Sequence, residues 1–143
     1  KPLTLSASIE LEKVVLDYDT FSFDLGDLMG PSLPGAYRKV RQFPLVLGGP
    51  ARWDTTLRLE LPTGYRVQAP EPLELSWGGI SFYLACETTP EHLTCARRVE
   101  LKQQVVLPDF WSQFRTMIDK MRAEDKARVT VSRSTPDEEA GGL

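Results

Sequence analysis

Three residues in one short stretch have side chains that could do covalent chemistry: Cys86, His92 and Cys95. A cysteine nucleophile needs an imidazole held within hydrogen-bond reach of its sulfur, and a third group to orient that imidazole. His92 is the single histidine of the chain and stands three residues before Cys95, at what the pattern makes a hairpin tip. A tip is wet and poorly oriented, so His92 reads as a loop residue, not a general base. The two cysteines, nine positions apart, read either as a disulfide or as two buried or half-buried free thiols. One histidine and two cysteines without CxxC or HxxxH spacing make no zinc site. Glu10, Glu12, Asp17 and Asp19 alternate with apolar residues or sit in a turn, which is not how a calcium loop converges its oxygens. No phosphate-cradling, dinucleotide-binding or nucleophile-elbow motif occurs. The expectation is a chain with no catalytic residue, no cofactor and no metal.

The elements that carry these residues follow from periodicity. Ile80, Phe82, Leu84 and Cys86 share one face of a strand; Leu93, Cys95, Val99 and Leu101 share one face of the next, with Arg97 as a polar intruder. Folding the chain about Thr89-Pro90-Glu91-His92 sets Ile80 opposite Leu101, Phe82 opposite Val99, Leu84 opposite Arg97 and Cys86 opposite Cys95. A slip of one residue would put the two apolar faces on opposite sides. Leu3 to Leu11 alternate strictly, as do Phe21, Phe23 and Leu25, and Trp53, Thr55, Leu57, Leu59 and Leu61. Residues 26–36 carry two prolines and three glycines and read as loop. A short strand falls within 41–47. Leu61-Pro62-Thr63-Gly64 fits a type I turn, after which Tyr65 and Val67 resume a strand. Leu73 and Leu75 begin another, and 103–107 extend the hairpin or start a new strand. Asp109 is placed to cap a helix whose stripe is Phe110, Phe114, Met117, Ile118 and Met121. Ala127, Val129 and Val131 alternate as a last strand. The class is mainly β: a two-layer antiparallel sandwich with one C-terminal amphipathic helix, about 109–125, and a final strand.

At 143 residues the chain is the size of one domain, expected over 1–133, with 134–143 as a polar tail or linker. Folding at this length buries roughly 68% of the unfolded surface, enough for a real core. No apolar run is long enough to cross a bilayer as a helix. A formal charge of −3 argues against general nucleic-acid binding. Arg38, Lys39 and Arg41 form the one basic cluster, a solvated loop or a contact for an anionic partner. Trp53, on an apolar strand face, and Trp111, beside the helix stripe, read as core or interface. Trp77 precedes Gly78-Gly79 at a turn and is the exposed candidate. The chain opens at Lys1 without a leader pattern and reads as an excised or processed piece.

The segments RQFPLVL (41–47), LRLELPTGYRV (57–67), the strand pair 80–101 and VVLPDFWSQFRTMIDKMRAEDKARVTV (105–131) together resemble the β-rich C-terminal domain of bacterial transglutaminase-like proteins. The order proline, aromatic, helix, then D-x-A-x-V-x-V is its most specific part. The resemblance covers 41–131; residues 1–40 belong to the same domain or to the edge of a preceding one. It implies a Cys-His-Asp core located upstream, with no counterpart here, so no catalytic residue carries over. It also implies a Gram-negative cell-envelope, periplasmic or otherwise exported location, and a partner that is either another protein or the adjacent transglutaminase-like core. The expected function is therefore a non-catalytic structural and protein-interaction domain, its contact surfaces sought at Arg38, Lys39, Arg41, Trp77 and the sheet edges. The alternative is a carbohydrate-binding sandwich, which requires an exposed, coplanar pair of aromatic rings.

Overall fold

Among the described residues, antiparallel sheets of four and three strands and a two-stranded ribbon surround a shared core. A computed structural model describes residues 20–29, 40–102 and 105–134. In chain order these form β1 (Thr20–Asp24), α1 (Leu25–Met29), β2 (Leu45–Val46), β3 (Ala51–Glu60), β4 (Tyr65–Gln68), β5 (Leu73–Trp77), β6 (Ile80–Thr88), β7 (His92–Leu101) and β8 (Val105–Val106). A 3-10 turn (Pro108–Phe110), α2 (Trp111–Asp125) and β9 (Arg128–Arg133) complete the chain. The mainly β, sandwich-like arrangement with one C-terminal helix and a last strand is the expected one. The expected strand 3–11, the turn at 17–19, the four acidic residues between 10 and 19, residues 30–36 of the expected loop, and 135–143 of the tail lie outside the described residues.

The larger sheet runs β3-β7-β6-β5, and the smaller runs β1-β9-β4. In the larger, β6 and β7 pair in the predicted register, including Phe82 with Val99, Leu84 with Arg97 and Cys86 with Cys95. Their inward residues are fully buried, Ile80, Phe82 and Leu84 at 1% exposure and Leu93, Cys95 and Val99 at 0%. The flanking strands β3 and β5 expose every second residue and half-bury the others. On the outward face, opposite charges face each other across β3 and β7: Arg52 is paired with Glu100, and Asp54 with Arg98. Such pairs reinforce the register that the apolar face sets.

Trp111, Phe114, Met117, Ile118 and Met121 are buried along α2. The helix packs against β5 and against α1, and all these residues belong to the same core as Val129 and Val131 of β9. Two expectations about this helix are corrected. Asp109 makes no capping hydrogen bond, because the chain enters through a 3-10 turn whose first position is Pro108. Phe110 is 46% exposed and Trp111 takes its place in the stripe. Phe110 has φ −101° and ψ 4°, so the α-helical phase starts only after it.

Two further corrections concern loops. Residues 25–29 form a short helix, with Leu25 and Met29 buried, where a strand end and a loop were expected. The β3–β4 turn closes one residue later than the sequence suggested: the Tyr65 amide donates to the Pro62 carbonyl at 3.2 Å. Thr63 and Gly64 are then the central pair, and Gly64 has φ +87°, the sign a type II turn requires at its third position. A Cβ added at Gly64 meets nothing within 4 Å, so only backbone strain opposes substitution. Gly64→Ala is expected to cost about 1–2 kcal/mol, read as a lowered urea midpoint with an unchanged slope; no change would show that the turn relaxes freely.

Candidate interaction surface

The cysteines and the histidine meet the structure first. Cys86 and Cys95, directly opposed in the β6–β7 hairpin, are joined as a disulfide with Cα atoms 4.1 Å apart. Of the two alternatives left open by the sequence, this is the bridge, and no thiolate remains among the two cysteines. Cys95 is fully buried and Cys86 half-buried. His92 is half-buried where β7 begins, with Nδ1 3.1 Å from the Thr89 hydroxyl. That hydroxyl also accepts from the backbone amides of Glu91 and His92. His92 is thus part of the turn that closes the hairpin.

The outward face of the larger sheet is charged but internally neutralised. Asp54 accepts from Arg52 and from Arg98, each at 2.6 Å, and these hydrogen bonds hold its carboxyl below the usual carboxylate range. Glu100 lies 3.2 Å from Lys102 and 3.8 Å from Arg52; Arg58 and Glu60 pair at 2.7 Å. With both signs interleaved, this face offers no field to steer a charged ligand. On the smaller sheet, Arg66, Gln68, Thr130 and Ser132 line a shallow depression. Within it Arg66 Nε donates to Ser132 Oγ at 3.3 Å, and Thr130 shares a 3.1 Å hydrogen bond with Ser22 of β1. Among the described residues no group of three or more His, Cys, Asp or Glu side chains could hold a metal ion.

The three tryptophans turn inward. Trp111 is 4% exposed, and Trp53 is half-buried on the inner face of β3. Trp77 is half-buried, not exposed: its Nε1–H donates to Gln113 Oε1 at 2.9 Å, and its ring lies 5.8 Å from that of Phe114 and 6.4 Å from that of Phe110. The exposed, coplanar ring pair that sugar stacking needs is not found among the three tryptophans. Of the basic cluster, Arg38 and Lys39 lie outside the described residues. The Arg41 guanidinium sits 5.1 Å from the centre of the Trp111 ring, and its Nε donates to the Phe43 carbonyl at 3.3 Å. Arg41 and Trp77 are therefore brought to one region, the start of α2.

That region holds a feature the sequence reading missed. Among the described residues the exposed large apolar side chains are Val40, Phe43, Val46, Tyr83, Val105, Leu107 and Phe110. All but Tyr83 fall in 40–46 and 105–110, and those two segments pair with each other through the β2–β8 ribbon. Val46, 70% exposed, stands directly opposite Val105. Leu45 and Val106 form the other pair, with Val106 buried and Leu45 packed against the core. Leu107, on extended backbone, follows Val105 by two residues and so shares its side of the ribbon. Val46, Val105 and Leu107 thus group exposed apolar side chains on one side of the ribbon, a feature of the kind found at contact surfaces. The signal in the sequence was the uninterrupted apolar runs FPLVL and VVL, which lack the alternation of the other strands.

Comparison with known proteins places the domain. A family model described as "Domain of Unknown Function with solved-structure structure (DUF3858)" matches residues 31–131, well over half of the chain. The chain is also similar to a crystal structure of a "putative protease" from Parabacteroides distasonis ATCC 8503, with a TM-score of 0.57 and 18% identity over 66% of this chain. At that identity the likeness is one of fold. The chain spans 19% of that longer protein. No curated protein matches it.

Proposed function

The chain belongs to the DUF3858 family, and we propose that it serves as a non-catalytic structural and protein-interaction domain of a transglutaminase-like cell-envelope protein. The observation that carries this reading is the gathering of exposed apolar side chains on the β2–β8 ribbon and the start of α2. Val46, Val105 and Leu107 leave apolar area in water at 70%, 39% and 49% exposure, and burying that area against a partner stabilises the assembly by roughly 25 cal/mol per Å². Arg41 at the border, with Arg38 and Lys39 next to it in sequence, adds positive charge that favours a carboxylate at the rim of the partner. The disulfide supports an exported location, since such bonds persist in oxidising compartments such as the periplasm. The transglutaminase-like assignment rests on the pattern over 41–131; in that family the nucleophile lies in a core that precedes this domain.

The surface is tested with a hydrophobic dye. The native chain is expected to enhance the fluorescence of anilinonaphthalene sulfonate, and a Val46→Ser/Val105→Ser pair to cut that enhancement several-fold. Because both sites are exposed, the pair should move stability by no more than about 0.5 kcal/mol each. Unchanged fluorescence would mean that this face is not the exposed apolar surface. Amide hydrolysis or transfer by the chain alone, lost in Cys95→Ser, would overturn the non-catalytic assignment.

A further inference from the structure

We propose that the outer face of the β2–β8 ribbon is permanently covered by another domain of the same, longer polypeptide. This rests on the interaction reading above and chooses its occupant. In β3, β4 and β5 a polar residue takes every outward position: Arg52, Asp54, Thr56, Arg58 and Glu60 in the first, Arg66 and Gln68 in the second, Glu74 and Ser76 in the third. The ribbon breaks that rule. Leu45 and Val106 face the core while Val46 and Val105 face outward, so both sides are apolar. Strands apolar on both sides are the pattern of strands covered on both sides. A two-stranded ribbon of two residue pairs is marginal in water by itself, and a cover over Val46 and Val105 would complete it.

The chemistry of the face selects the kind of cover. Across 40–46 and 105–110 the exposed polar residues are Gln42 and Asp109 alone. Transient partners meet through surfaces no more apolar than the rest of a protein, whereas permanent contacts resemble a core cut in two. A permanent cover is most simply supplied in the same chain. This chain spans 19% of the longer protein whose fold it shares, so most of such a polypeptide lies beyond the domain. A tethered domain is present at an effective concentration on the order of millimolar.

The test compares backbone amide hydrogen exchange over 43–47 and 105–110 in two samples: the 143-residue chain, and the whole polypeptide encoded by its reading frame. Exchange in these segments is expected to be at least about tenfold slower in the whole polypeptide, which corresponds to roughly 1.4 kcal/mol of added protection. A Val46→Asp/Val105→Asp pair should remove that protection while the core of β6 and β7 stays slow. Should the Asp pair fail to fold, the milder Val46→Thr/Val105→Thr pair is read the same way. A reading frame that encodes nothing beyond these residues overturns the proposal. Protection that appears in the 143-residue chain as its concentration rises, with a dimer in sedimentation, assigns the face to a second copy. That sinks this inference and spares the interaction reading. Equal exchange in both samples with no dimer sinks this inference, and leaves the interaction reading to a separate protein partner.

Discussion

Replacing Phe82 by alanine lowers stability by about 3–5 kcal/mol, the range for removing a buried aromatic side chain. Phe82 is 1% exposed and occupies the centre of the larger sheet, with Leu75 of β5 on one side and Val99 of β7 on the other. Ile80 and Leu84 along its own strand are buried as well, so the space left by the ring would open inside the core. The ring has a second role. Arg97, 2% exposed on the same apolar face, holds its guanidinium 5.4 Å from the centre of the Phe82 ring. A buried guanidinium loses water and depends on whatever surrounds it. Phe82→Ala therefore removes apolar contact and the aromatic face over which a buried cation rests. The measurement is thermal unfolding, where the expected fall in midpoint is about 10–15 °C for a domain of this size. Phe82→Leu keeps much of the volume but not the ring, and should cost about 1–2 kcal/mol. Equal, small losses for both would show that the sheet centre repacks and that the ring contributes nothing particular.

Opening the disulfide gives the second large effect. The Cys86–Cys95 bridge spans nine residues, and closing so short a loop stabilises by roughly 2.5 kcal/mol on the chain-entropy model. Cys86→Ala/Cys95→Ala is expected to shift the urea midpoint down by about 1 M, taking a slope of roughly 2 kcal/mol per M. The single variants should not be equivalent. Cys95 is 0% exposed and Cys86 half-buried, so Cys95→Ser buries a hydroxyl in the core while Cys86→Ser leaves one near water. Cys95→Ser is expected to be worse by about 1–2 kcal/mol. The hairpin should survive, because the Thr89 amide donates to the His92 carbonyl at 2.8 Å and the Thr89 hydroxyl ties the turn independently of the sulfurs. Loss of β6–β7 pairing in the reduced protein, seen by amide exchange, would show that the bridge and not the turn holds the register.

Patterns confined to neighbouring residues were legible. The β6–β7 register came from one requirement, that two apolar faces coincide, and every partner predicted from Ile80–Leu101 to Cys86–Cys95 is found. The α2 stripe was legible for the same reason, except at Phe110, where a 3-10 turn precedes the α-helical phase. Local signals misled where two readings were nearly equal in energy. Gly26 and the glycines and prolines after it suggested loop, yet Leu25 and Met29, four apart, have apolar faces that a single helical turn buries together. At Pro62-Thr63-Gly64 both alignments of the turn satisfy proline, and the positive φ of Gly64 chose between them.

The chain alone determined which residues alternate, which hairpin closes and where the long helix runs, because each depends on the side-chain period of a strand or helix. Tertiary structure decided how distant strands meet. It set Thr20 of β1 beside Ser132 and Arg66 of β4 beside the same residue, giving a second sheet around β9, and it set Leu45 beside Val106. Nothing in the local period specifies these pairings; they are fixed by burying Val129, Val131 and Val106 against the one common core. The apolar runs 43–47 and 105–107 told only that water should be excluded from them. Which side the domain itself covers, and which it leaves exposed, became visible only once the two runs were placed side by side.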